Sequence, residues 1–137
     1  MARPLTQQDK SDRGKRAENV VARRLWWEGY RILERNYATG AGEVDIVARK
    51  GETICFVEVR AKAEGSPVAP KDTIGPGKRR RIHSAAAAYL KANRLADVSV
   101  RYDIAEVWLD DRGKPKQIEI IEGAFGEPRR TGGRSRR

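Results

Sequence analysis

The alternation of apolar and polar positions is clearest between Gly42 and Lys62. Val44, Ile46 and Ala48 alternate with Glu43, Asp45 and Val47, and then Cys55, Val57, Val59 and Ala61 alternate with Ile54, Phe56, Glu58, Arg60 and Lys62. Period-two patterning rich in β-branched residues, interrupted by Lys50-Gly51, predicts two strands joined by a tight turn. Upstream, Ala17, Val20, Val21 and Leu25 recur at helical spacing. With Ser11 or Asp12 as cap and Gly29 just past the end, they predict a helix. Tyr30 to Tyr37 predicts a first strand, linked to the hairpin by Thr39-Gly40-Ala41-Gly42. The stretch from Ala63 to Gly77 holds three prolines and three glycines and predicts a loop. Pro76 then opens a helix to about Asn93, with Ile82, Ala85, Ala86 and Tyr89 facing inward. Val98 to Leu109 alternates again, and Asp111-Arg112-Gly113 turns the chain into a last strand, Gln117 to Glu122. The predicted order is α-β-β-β-α-β-β, without internal repeats. Residues 1–11 read as a flexible N-terminus, 12–124 as one domain with a single core and 125–137 as a basic tail.

The hairpin pattern sets which charges share a face. If Arg49 lies opposite Glu52, then Asp45 faces Phe56 and Glu43 faces Glu58. Glu43, Asp45, Glu58, Arg60 and Lys62 then point to one side. Asp45 and Glu58 become diagonal neighbours, roughly 7–8 Å apart along the backbone. Any turn of even length keeps them together, whereas an odd one separates them. Two adjacent carboxylates repel unless a positive charge lies between them, and a hard divalent cation such as Mg²⁺ answers that need. Cross-strand charge pairing on a solvated face is the competing reading.

Charge changes the picture further. The net charge is +10 over 137 residues, and the pI is about 10.2, which favours a polyanionic partner, most simply nucleic acid. Five arginines and no acids follow Pro128, supplying half the net charge; this stretch reads as a basic arm or as a solubility tail. Lys78, Arg79, Arg80 and Arg81 open the second helix. Cations there oppose the helix dipole, and a bound phosphate would reverse that sign. Lys78, Arg79, Arg80, Arg129 and Arg130 are therefore the candidate nucleic-acid contacts. Glu18 lies on or beside the buried face of the first helix, where a lone carboxylate is costly. Either Lys15 or an arginine pairs with it, or it reaches the acidic hairpin as a further ligand. Cys55, the lone cysteine, sits on the apolar face and reads as an inert buried thiol, so no disulfide is expected. His83 reads as structural. Asp103 has either a cross-strand partner or a supporting place near the acidic pair. No apolar run approaches membrane length, which makes a cytoplasmic, membrane-free protein the expectation.

The hairpin resembles the metal-binding core of the PD-(D/E)XK, restriction-endonuclease-like nucleases. There an Asp on one strand is followed on the next by a carboxylate, any residue and Lys, and Asp45, Glu58, Val59 and Arg60 fall on those positions. More narrowly, R-N-Y, G-E-V-D-I-V-A and F-V-E-V-R resemble the YraN family, small bacterial proteins similar to archaeal Holliday-junction resolvases, over about residues 11–122. The resemblance implies an α/β fold of three layers, a mixed central sheet flanked by helices. It also implies Mg²⁺- or Mn²⁺-dependent hydrolysis of DNA, branched DNA in particular, by a homodimer; RNA stays open as a partner. Asp45, Glu58 and the Val59 carbonyl would hold the metal, with Glu18 at the position of an acidic ligand on the first helix. Asp45, Glu58, Arg60 and Lys62 would form the catalytic set. Arg60 stands where the pattern has Lys, and arginine keeps its charge but does not deprotonate. That departure keeps a second reading open, a nucleic-acid-binding protein of the same fold with weak or no catalysis. A basic accessory protein is a third.

Overall fold

The computed structural model describes residues 4–68 and 74–127, so the arginines from Arg129 onward lie outside the described residues. Helix α1 spans Gln7–Trp27, starting earlier than Ser11 or Asp12. Its cap is Thr6, whose hydroxyl accepts the Asp9 N–H (3.0 Å) while the Asp9 carboxylate accepts the Thr6 N–H (2.9 Å). This reciprocal box satisfies two amides that a helix end otherwise leaves unpaired. The helix closes as expected at Gly29, with φ of 91°; the N–H groups of Gly29 and Tyr30 donate to the carbonyls of Trp26 and Leu25.

Strands β1 (Arg31–Thr39), β2 (Gly42–Lys50) and β3 (Thr53–Ala63) follow, then α2 (Pro76–Ala92), β4 (Ser99–Leu109) and β5 (Pro115–Phe125). The sheet order is β1-β2-β3-β4-β5, antiparallel except for β3–β4, whose crossover contains α2. Helix α2 covers one face through Val47, Ile54, Phe56, Tyr102 and Ile104. Helix α1 covers the other through Ile46, Ala48, Cys55, Val57, Ala105 and Val107. The result is a three-layer mixed α/β fold, consistent with the restriction-endonuclease-like architecture. Cys55 is buried and its thiol pushed up to about 11, first by burial, as suits an inert core thiol. Buried His83 bonds the Gly126 carbonyl at 2.8 Å and stacks edge-on against Tyr102.

The β2–β3 register departs from expectation by two residues. Lys50 pairs with Thr53, so the turn is Gly51-Glu52 rather than Lys50-Gly51. Gly51, with φ of 59°, takes the first turn position, which type II′ hairpins reserve for glycine. An even shift preserves which residues share a face. Val47, not Asp45, faces Phe56.

Gly42 is fixed by packing. A Cβ there would lie 1.9 Å from the Arg81 carbonyl oxygen of α2, while one at Gly40 would meet open space. The close approach that these glycines allow is therefore to α2. Gly42→Ala is expected to displace the start of α2 and lower stability by about 3 kcal/mol, the upper end for overpacking. Gly40→Ala should stay within about 0.5 kcal/mol. Urea midpoints of the two variants check this.

Candidate active site

The alternation of β2 breaks at the residue that matters most. Val44 packs with the α2 cluster, yet Ile46, two residues on, packs with the α1 cluster. On β1 the same slip occurs opposite: Tyr37 joins the α2 side, whereas Arg35 reaches Glu18 of α1. The residues between are Asp45 and Asn36, and Asn36 has φ of 52°, a left-handed conformation that asparagine tolerates better than most. The regular alternation read for Val44, Ile46 and Ala48 would put Val44 and Ile46 on one face, and this kink corrects it.

The β2–β3 pairing reaches Ile46–Val57, and the same register carried one step further sets Asp45 across from Glu58, directly and not diagonally. The Asp45 carboxylate accepts the Val59 N–H at 2.8 Å. Burial first, then the Glu58 charge and a carboxyl–carboxyl hydrogen bond, push Asp45 up to about 7, against the Val59 bond and the Lys78 charge. A carboxyl proton thus bridges the pair over the acidic range. Glu58, itself buried, also forms an ion pair with Lys78 of α2.

Two carboxyls pressed together, one retaining a proton near neutrality, are the donor set a divalent cation suits: it removes the same repulsion that the proton removes. Among the described residues no three His, Cys, Asp or Glu side chains are grouped closely enough to hold a metal. Val59 touches the pair through its N–H. Glu18 stands on the α1 side, its Oε1 accepting from Arg35 (2.9 and 3.1 Å) and Asn36 (2.9 Å). Of its two readings, the structure shows the ion pair, made with an arginine of β1.

Arg60 and Lys62 follow Glu58 on its face, and both point to Glu106 of β4, at 3.7 and 3.4 Å. Lys62 also donates to the Pro67 carbonyl and lies 5.3 Å from the Trp108 ring centroid. Glu106 is fully buried. The sequence reading missed it, although a signal exists: Tyr102, Ile104, Glu106 and Trp108 form one period-two stripe in which only Glu106 is charged.

Of the basic turn of α2, Lys78 pairs with Glu58 and Arg81 with Glu43 (3.2 Å). Arg79 turns inward, donating to the Ile74 carbonyl at 3.2 Å and lying over the Phe125 ring. Arg80 is exposed. Asp103, buried, is held by Arg101 on its own strand and by the Gly123 N–H of β5. This is the cross-strand partner expected from sequence, together with a neighbour two residues away.

Comparison with known proteins gives one consistent answer. The model of a family described as "Uncharacterised protein family UPF0102" matches residues 17–107. A UPF0102 protein of Moorella thermoacetica is 43% identical over 113 residues, 82% of this chain and 94% of its own. One of Syntrophus aciditrophicus is 41% identical over 112 residues, 82% and 87% of the two chains. One of Porphyromonas gingivalis is 36% identical over 117 residues, 85% and 86%.

Proposed function

Since the chain belongs to the uncharacterised protein family UPF0102, the YraN family whose motifs it carries, we propose that it is a metal-dependent DNA endonuclease. The observation that carries this reading is the direct contact of Asp45, at the kink in β2, with Glu58 of β3, beside cations suited to phosphate. Asp45 and Glu58 would hold Mg²⁺ or Mn²⁺, which when bound would supply Lewis-acid polarisation of a phosphodiester and activation of water. Lys78, paired with Glu58, would offer its ammonium to a phosphate oxygen. Arg60, steadied by Glu106, stabilises the charge that develops on the phosphorus oxygens. Lys62 holds the substrate backbone beside it, and outward Arg80 lies on the approach. Branched DNA is the favoured substrate and a dimer the favoured assembly, both on the strength of the family resemblance.

One observation favours a second reading. Arg60 does not deprotonate, and both Arg60 and Lys78 already have carboxylate partners. A protein that binds nucleic acid without cutting it would keep these pairs. Single-turnover incubation with linear, nicked and four-way DNA, in Mn²⁺ and in EDTA, separates the two. Cleavage in Mn²⁺ alone supports the nuclease, and binding without cleavage of any form replaces it with the second reading. Within the nuclease reading Arg60→Lys is expected to change the rate by less than about tenfold, because the charge is what acts. A rise of about 10²–10⁴-fold would instead mark lost general-base transfer.

A further inference from the structure

The end of α1 carries a surface that the acidic site does not use. Trp26 and Trp27 close the helix with 63% and 75% of their surfaces exposed, their rings edge-to-face at 5.3 Å. Helix α1 does not need them for packing, since Ala17, Val21 and Leu25 already bury its inner face. Two adjacent indoles in water forgo large apolar areas, and such a patch marks an interaction site. Its rim is basic. Arg23, one turn before the pair, and Arg31, at the start of β1, are exposed and have no partner among the described residues. Arg24 is matched by Glu28 at 2.5 Å. Lys50, from the tip of the β2–β3 hairpin, adds another cation 4.9 Å from the Tyr30 ring centroid.

We infer that Trp26 and Trp27 form a stacking platform for unpaired bases of a single-stranded nucleic acid, whose phosphates Arg23 and Arg31 contact. Every base offers an aromatic face, so stacking on indole needs no particular sequence. A duplex keeps those faces covered, so the platform discriminates single strands and frayed ends from paired DNA. The uncompensated guanidiniums point to a polyanion over an apolar protein partner, in keeping with the net charge of +10. Lys50 lies five residues along β2 from Asp45, roughly 16 Å at the rise of a strand. The platform is therefore a site separate from the acidic pair, and it acts without metal.

The test is a titration of the full chain with oligothymidylate of about 15 nucleotides in EDTA, read by tryptophan emission and by anisotropy of a labelled strand. Trp108 is buried and serves as an internal reference. The double variant Trp26→Ala, Trp27→Ala should bind about 10–100-fold more weakly, with its salt slope and melting temperature nearly unchanged. Trp26→Phe, Trp27→Phe should recover most of the loss. Arg23→Gln with Arg31→Gln should lower the slope by about 1.4, at roughly 0.7 per phosphate contact on a single strand. Duplex of the same length should not distinguish the indole variants from wild type. Equal oligothymidylate affinity of the double alanine variant and wild type overturns the inference. So does emission that responds to vesicles of anionic phospholipid and not to the oligonucleotide. Working in EDTA keeps the result independent of whether the acidic pair cleaves anything.

Discussion

Asp45→Asn is expected to abolish Mn²⁺-dependent cleavage while making the metal-free protein more stable at pH 8. The second effect follows from the carboxyl pair. Asp45 titrates near 7 when folded, well above the ordinary carboxylate value of 3.8. The folded state therefore holds its proton more tightly than the unfolded chain does. The associated stability is complete below about pH 4, is lost as pH rises towards 7, and stays lost above it. The substituted asparagine carries no such penalty. Its amide oxygen can still accept the Val59 N–H, and its amide nitrogen can donate to Glu58. Solvent reaches the pair from one side and screens the repulsion, so the gain at pH 8 should be about 1–3 kcal/mol, shrinking towards zero near pH 4. Mn²⁺ should raise the melting temperature of the wild type at pH 8, an effect that fades below pH 7 as protons compete, and should leave Asp45→Asn unmoved. Melting curves across pH with and without Mn²⁺ give all of these readings. A variant less stable than wild type at pH 8 would mean that Asp45 and Glu58 do not repel, and the metal argument would fall with the repulsion.

The features readable from sequence are those that a periodic pattern encodes. Element order follows from helical and period-two spacing together, and the buried Cys55 face and the grouping of Asp45 with Glu58 follow from period-two alternation, which a two-residue register error leaves intact. What escaped were departures from period. Thr6 and Asp9 cap α1 inside a polar stretch without apolar rhythm, so the helix start was hidden there. The kink at Asn36 and Asp45 depends on a positive φ in a residue that tolerates it without requiring it. It put Val44 and Ile46 on opposite faces. Glu18 finds its arginine on β1, a partner that helical spacing cannot reveal. Arg79 reads as a candidate phosphate contact by sequence and is drawn inward by the Ile74 carbonyl and the Phe125 ring. Glu106 differs from these: it is the one charge in an otherwise apolar stripe of β4, and the apolar members of that stripe encode only a core strand.

Glu106→Gln is expected to lower stability by about 2–3 kcal/mol, a fall of roughly 10 °C in melting temperature. Glu106 has no solvent access, and its side chain neutralises Arg60 and Lys62, whose side chains are only 26% and 19% exposed. Replacing the carboxylate by an isosteric amide keeps the shape and removes the charge, leaving two half-buried cations facing each other. Removing one member of a buried pair is costly because the others lose their solvation without compensation. Part of the cost is relieved because Arg60 and Lys62 can swing towards water, which places the loss below that of a fully enclosed pair. Glu43→Gln provides the contrast. It breaks the pair with Arg81, whose two side chains are more than half exposed, and it should cost at most about 1 kcal/mol. Each variant removes one negative charge, Glu106 from two half-buried cations and Glu43 from one exposed cation. The cations released by Glu106→Gln also lose their alignment beside Glu58. Single-turnover cleavage should then slow even at temperatures where the variant is fully folded, whereas Glu43→Gln should cleave near the wild-type rate. Urea midpoints and single-turnover rates measured on both proteins test the two halves separately. Equal stability of Glu106→Gln and Glu43→Gln would show that Arg60 and Lys62 do not depend on Glu106 for their place.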